Sequence, residues 1–231
     1  MSNIIDITTQ TVDVLKSFEG INKSIMFRQG KMINTRSIGQ NIIAEYVCDE
    51  EFPQTFAVYE LSQFLSGLSL FDTPSLKFDN DDFVTIRSQK GNRNAKYFFS
   101  DPSIVEESSP ERRLRFPEDD VVMEFKITES DLASLNRASG VYDLDYLKIE
   151  TSPDGIVITV FDSENETNNT YSITVLGQFS SDGCVFMGMD SLHMMKGDYH
   201  VSITDESITK WKHNNLDLVY YISTEPDPNE S

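Results

Sequence analysis

Leu61, Phe64, Leu65 and Leu68 fall at i, i+3, i+4 and i+7, so one face of this stretch is apolar and the spacing predicts an amphipathic helix. After it the pattern shortens, and residues 76–78, 83–87 and 96–99 read as short strands. The opening of the chain follows the same plan. Val14, Leu15 and Phe18 share a helical face, and residues 25–28, 32–36 and 42–47 follow as strands. Ser24-Ile25-Met26-Phe27 echoes Ser75-Leu76-Lys77-Phe78. Further on, Thr128-Glu129-Ser130-Asp131 is a capping-box pattern, with Leu132, Leu135 and Ala138 at helical spacing and Gly140 expected to end the helix. Residues 146–150 and 156–161 flank a turn at Pro153-Asp154-Gly155, and residues 171–175 alternate as a third strand. Asp190 to Lys196 is expected to form a short helix closed by Gly197, before strands at 199–203, 207–212 and 216–222.

Helix followed by three strands therefore occurs four times, twice in each half of the chain. Between the halves lie Asp101-Pro102-Ser103, Glu106-Glu107-Ser108-Ser109-Pro110-Glu111 and Phe116-Pro117-Glu118-Asp119-Asp120, which carry prolines, serines and charges without apolar period. The reading is an α+β protein of two similar domains, each of two α-β-β-β units with helices packed on antiparallel sheet. Its boundaries are 1–105 for the first domain, 106–120 for a connector and 121–231 for the second domain. The acidic, proline-spaced end from about residue 225 is expected to fray.

The 231 residues are 39% hydrophobic and 11% aromatic, enough for a packed core rather than a disordered chain. Lys and Arg number 19 against 38 Asp and Glu, a formal charge of −19, which argues against indiscriminate binding to nucleic acid or anionic membranes. Cys48 and Cys184 are too few for a disulfide scaffold, and both are expected to be buried free thiols. No basic n-region opens the chain, and no apolar run approaches the ~20 residues that span a bilayer, so the expectation is a soluble intracellular protein.

Catalytic and cofactor motifs are missing. His193, His200 and His213 have no zinc-binding spacing, and no Gly-x-Ser-x-Gly elbow occurs. Gly30-Lys31 lacks the rest of a phosphate loop. Asp79-Asn80-Asp81-Asp82 starts like a calcium loop, but the turn glycine is absent and Lys90 stands where the closing glutamate belongs. No catalytic residue, metal or cofactor is assigned. The scarce cations are more informative: Lys16 on the polar face of the first helix with Lys23 and Arg28 beyond it, Arg137 on the third helix, and Lys196 ending the fourth. The second helix carries no Lys or Arg.

These features together resemble the sliding clamp, or DNA polymerase processivity factor, of T-even-type tailed bacteriophages. The resemblance is carried by Phe18-Glu19-Gly20-Ile21-Asn22-Lys23-Ser24-Ile25-Met26, by the run from Val58 to Leu70, by Asp101-Pro102-Ser103 with Phe116-Pro117, by Leu132 to Gly140 and by Met194-Met195-Lys196-Gly197-Asp198-Tyr199. It implies the DNA-clamp fold, a homotrimeric ring with sheets outside and helices lining a hole for double-stranded DNA. It also implies a replicative DNA polymerase, a clamp-loader ATPase and late-transcription factors as partners, in the cytoplasm of an infected bacterial host. The resemblance supports Lys16, Arg137 and Lys196 best as DNA-facing residues, with Lys23 and Arg28 added by position. A partner-peptide pocket is expected beside the connector, walled by Phe98, Phe99, Pro102, Leu114, Phe116 and Pro117. A trimer would carry a formal charge of roughly −57, which keeps DNA off its outer surface. The alternative from another class is an acidic, repeat-built structural or assembly protein of a virion, without a DNA-threading role.

Overall fold

The computed structural model describes residues 3–88, 92–105, 116–165, 167–206 and 208–229. The chain divides into two compact units, Met1–Arg112 and Arg113–Ser231. The first contains β1 (Ile4–Asp6), α1 (Thr9–Ile21), β2 (Ile25–Phe27), β3 (Gly30–Arg36), β4 (Ile42–Phe52), β5 (Phe56–Val58), α2 (Leu61–Leu68), β6 (Pro74–Lys77), β7 (Phe83–Ser88) and β8 (Asn94–Phe98). The second contains β9 (Val121–Ile127), α3 (Glu129–Tyr142), β10 (Tyr146–Ser152), β11 (Gly155–Phe161), β12 (Tyr171–Val175), β13 (Gly177–Phe179), β14 (Cys184–Gly188), β15 (Tyr199–Thr204), β16 (Ile208–His213) and β17 (Leu218–Ser223).

In the first unit an antiparallel sheet runs β1-β6-β7-β8, beside a β3-β4 hairpin and a β2-β5 pair. Its core is a set of phenylalanines contributed by helix and strands. Phe27 stacks on Phe56 at 4.6 Å, Phe56 on Phe99 at 4.8 Å, and Phe64 of α2 lies 5.7 Å from Phe27. Such rings contribute more than their buried area when offset or tilted against each other. Buried Val14, Leu15 and Phe18 give α1 its inner face. The first turn of α1 has no acid of its own. Glu50 of β4 supplies it, accepting the Thr8 N–H at 2.7 Å and the Thr11 hydroxyl at 2.7 Å. A carboxylate thus meets the positive end of the helix dipole from a neighbouring strand.

The second unit has a sheet ordered β12-β11-β10-β14, against which α3 packs through β11 and β12. A second antiparallel ladder runs β13-β9-β15-β16-β17. The capping box of Thr128 and Asp131 forms, but Gly140 does not end α3. The helix continues to Tyr142 and is capped by Asp143 in the left-handed region, φ 57°. Aspartate tolerates that conformation better than most residues.

The expected fourth helix is replaced by a single 3₁₀ turn, Met189–Leu192. Side chains from the adjoining strands take the backbone groups that a longer helix would need. Tyr220 Oη accepts the Met195 N–H at 3.0 Å, the Tyr199 hydroxyl donates to the Met195 carbonyl, and His213 Nε2 donates to the Lys196 carbonyl at 3.2 Å. His213 Nδ1 accepts from Asn215 and Leu216 N–H groups at 3.1 and 3.2 Å, which leaves Nε2 as the protonated nitrogen. Gly197, at φ +149°, passes so close that an added Cβ would stand 2.1 Å from His213 Nε2. Burial pushes the Tyr199 hydroxyl up, so it stays a donor. Among the described residues the unit thus has one α-helix, and a 3₁₀ turn stands where its second helix was expected.

One further expectation is corrected. Cys48 is a buried free thiol, pushed up to about 12 chiefly by burial, but Cys184 is exposed, at the first position of β14. Residue 225, where fraying is expected to begin, still makes contacts. Glu225 bridges to Phe186, its N–H donating to the Phe186 carbonyl at 2.8 Å, while its carboxylate accepts the Tyr146 hydroxyl and the Gly188 N–H. This carboxylate also raises the Tyr146 hydroxyl to about 12. The native state therefore holds that proton to higher pH than the unfolded chain does. The stabilisation is complete below an ordinary phenol value of about 10 and is lost as pH rises through about 12. Tyrosinate absorbance should show this phenol ionising near 12 in the wild type and back towards 10 in Glu225→Ala. Identical titrations would contradict the clasp.

Candidate functional site

Three of the DNA-facing candidates project from exposed positions on or next to α-helices. Lys16 lies on the solvent face of α1, 2.8 Å from Asp13, which partly neutralises it. Lys23 is exposed one residue past the C-cap, and its carbonyl accepts the Leu61 N–H at 2.7 Å, tying the end of α1 to the start of α2. Arg137 is exposed on α3. Arg28 is half-buried beyond β2, so it is less available than Lys16 or Lys23. Lys196 is exposed but sits in the clasped segment after the 3₁₀ turn rather than on a helix.

In the second unit, Lys196 lies at the rim of a groove of about 720 Å³ between α3 and that segment. Leu132, Asn136, His193 and Met194 are among its walls. The groove brings His193 and Asn136 beside Lys196, two polar side chains that sequence reasoning missed. His193 Nδ1 lies 2.7 Å from the Asp190 carbonyl, a contact set by the 3₁₀ turn and invisible in a helical reading. The exposed side of α2 is Ser62, Gln63, Ser66 and Ser69, polar without charge. Among the described residues, no group of three His, Cys, Asp or Glu could hold a metal ion.

The pocket candidates divide. Phe99 is half-buried in the phenylalanine core, stacked on Phe56. Phe98, its neighbour on the opposite face of β8, is 65% exposed and lies 5.3 Å from Phe83. Pro102 opens an exposed turn capped by Asp101, and Val105 then turns inward against Met26 and Ala57. Leu114 lies outside the described residues. Phe116 is only 7% exposed, with Lys210 Nζ 5.0 Å above its ring and Tyr221 at 6.1 Å, and Pro117 is half-buried. Phe116 pins its own segment to the second unit's sheet and offers little surface to an incoming peptide.

Among the described strands, β1, β8, β12 and β13 have no fully buried residue, and β8 and β12 are the longest of them. β8 and β12 are each five residues long, each forms the outer edge of its sheet, and neither has a buried side chain. Yet they carry Tyr97, Phe98, Tyr171, Ile173 and Val175. Exposed apolar residues gather around them: Tyr59 and Leu70 flank α2, which packs on β8, and Val141 and Tyr142 end α3, which packs on β12. Leu176, directly after β12, is 87% exposed. Their alternation was legible in the sequence, but their place at the sheet edges was not.

Residues 8–97 match the family described as DNA polymerase processivity factor. The sliding clamp of Vibrio phage KVP40 is 30% identical over 219 residues, which cover 93% of this chain and 96% of that protein. The sliding clamp of Escherichia phage RB69 is 29% identical over 203 residues, covering 85% and 86%. Among solved structures, the proliferating cellular nuclear antigen of Entamoeba histolytica superposes with a TM-score of 0.71 at 13% identity, over 98% of this chain and 100% of its own. At that identity the likeness is one of fold.

Replacing Phe116 by Ala should lower stability by about 3 kcal/mol, because it empties a buried aromatic site. Phe98→Ala should cost well under 1 kcal/mol. Urea unfolding of the two variants checks this, and equal midpoints would contradict the placement of Phe116.

Proposed function

The chain belongs to the sliding-clamp family of DNA polymerase processivity factors, and from that premise we propose a homotrimeric ring that encircles duplex DNA. It is a non-catalytic protein that acts by holding a polymerase to its template. The observation that carries the family assignment is 30% identity to a phage clamp across nearly the full length of both chains. In the proposed ring, β8 of one copy pairs with β12 of the next. Two bare edges of equal length, each beside an exposed apolar helix end, support this pairing. A head-to-tail contact of this kind closes into a ring when its rotation allows. On this reading Phe98 belongs to the subunit edge rather than to a peptide pocket.

The hole of the ring is proposed to present Lys16, Lys23, Arg137 and Lys196, with His193 and Asn136 beside the last and Arg28 contributing less. A few cations suffice, because a closed ring keeps DNA by topology. Tight phosphate pairing would instead add strong salt dependence and slow sliding. The uncharged face of α2 fits a lining that neither repels nor grips phosphate. The kinship with phage proteins extends the proposal to a clamp-loader ATPase, to late-transcription factors and to the host cytoplasm. The virion-assembly alternative explains the repeats but not a family assignment to processivity factors.

Light scattering over a concentration series should give a mass tending to three chains, and Ile173→Asp should give monomers with little change in unfolding midpoint. A wild-type monomer up to tens of micromolar, roughly where a weak interface would show, would overturn the ring. Replacing Lys16, Arg137 and Lys196 together by Ala should reduce processive synthesis on the order of tenfold at moderate salt while leaving the trimer intact. Unchanged synthesis would show that these cations do not face DNA.

A further inference from the structure

The solvent face of the β9-β15-β16-β17 ladder carries two rows of side chains that differ in charge balance. One row runs Glu124, Ser202, Lys210, Tyr221 in register across the four strands. It is internally matched: Ser202 donates to Glu124 at 3.0 Å, and Lys210 pairs with Glu118. The adjacent row runs Lys126, His200, Lys212, Val219. Lys126 and Lys212 are exposed, and among the described residues neither forms an ion pair. Glu124 of the neighbouring row lies with its Oε1 3.3 Å from His200 Nε2 and already accepts from Ser202.

An opposite charge directly across neighbouring strands stabilises a sheet, whereas a row of bases without one does not. In a chain with twice as many acids as bases, acid is the common choice for a solvent-facing strand position. Here three strands in succession avoid it. The geometry points to a docking row for a short, extended acidic segment of a partner protein. Lys126 and Lys212 are two strand spacings apart, about 10 Å, which is about three residues of polyproline-II chain, whose side chains return to the same side every third residue. A peptide lying across the strands would therefore place carboxylates on Lys126 and Lys212 at positions i and i+3. Half-buried Val219, with Tyr221 beside it, lies one strand beyond Lys212, so an apolar side chain is favoured after the second carboxylate.

Magnitude decides against nucleic acid as the occupant. The unpaired row offers two lysines, too few to hold a duplex whose affinity grows with every phosphate neutralised. A long polyanion would also extend over the rest of a surface with a formal charge of −19. A peptide with two carboxylates stays within about one Debye length of the lysines, where the local field dominates. The inference does not depend on ring closure or on DNA threading, so its failure would leave both untouched.

The test uses the full chain and a fluorescein-labelled nonapeptide with glutamates at its third and sixth positions and leucine at its seventh. Fluorescence anisotropy should show binding that weakens with salt and falls on the order of tenfold in Lys126→Gln/Lys212→Gln. Amide chemical shifts should move in β9, β15 and β16 of the wild type. Lys77→Gln, on the other unit, should bind as the wild type does. A peptide with glutamines in place of the glutamates should lose binding. Equal binding by that peptide or by the double variant would overturn the proposal. So would a twelve-base-pair duplex that binds tighter than the acidic peptide and depends on the same two lysines.

Discussion

A β-strand at the edge of a sheet leaves a row of N–H and C=O groups without partners, and an edge that also exposes apolar side chains invites another strand. Each unit of this chain ends one of its sheets in such a strand. β8 and β12 bury none of their side chains, and the helices packed on them finish in exposed Leu70, Val141 and Tyr142. Both flaws are removed together if the two edges meet between copies. Burying two or three of those apolar side chains would contribute several kcal/mol before the cost of association. In the proposed ring, closure is a consequence of how each unit is finished, and the DNA-holding role would follow from it.

The other end of the second sheet is treated differently. β14 is bridged by Glu225, held in place by the Tyr146 hydroxyl and the Gly188 N–H. The chain's own tail thereby blunts one edge and leaves β12 as the bare one. Tyr199, Tyr220 and His213 play a comparable local role, taking the backbone groups of the segment from Met195 to Gly197 and holding it out of helical form. Residues of that segment, Lys196 among them, line the groove against α3.

Much of the fold was legible because period and capping are local. The spacing of Leu61, Phe64 and Leu68 gave α2, and the Thr128–Asp131 box gave the start of α3. The three-residue strands β1, β5 and β13 were too short to show a period. The helix expected at 190–196 failed because tyrosines and a histidine more distant in sequence compete for its backbone. Phe116 reads in sequence as an apolar residue in a charged linker, and only the sheet beneath it, with Lys210 and Tyr221, shows that it is covered. The row of Lys126, His200 and Lys212 depends on strand register, which spacing along the chain does not contain.

Hydrogen exchange of individual amides at two protein concentrations tests the central claim most directly. If β8 and β12 meet between copies, their outward N–H groups should be protected in concentrated solution and exchange faster on dilution. Interior strands such as β7 and β11 should keep the same rates relative to one another. Exchange at β8 and β12 that is fast at every concentration, or slow at every concentration including that of the monomer, would contradict closure through these edges.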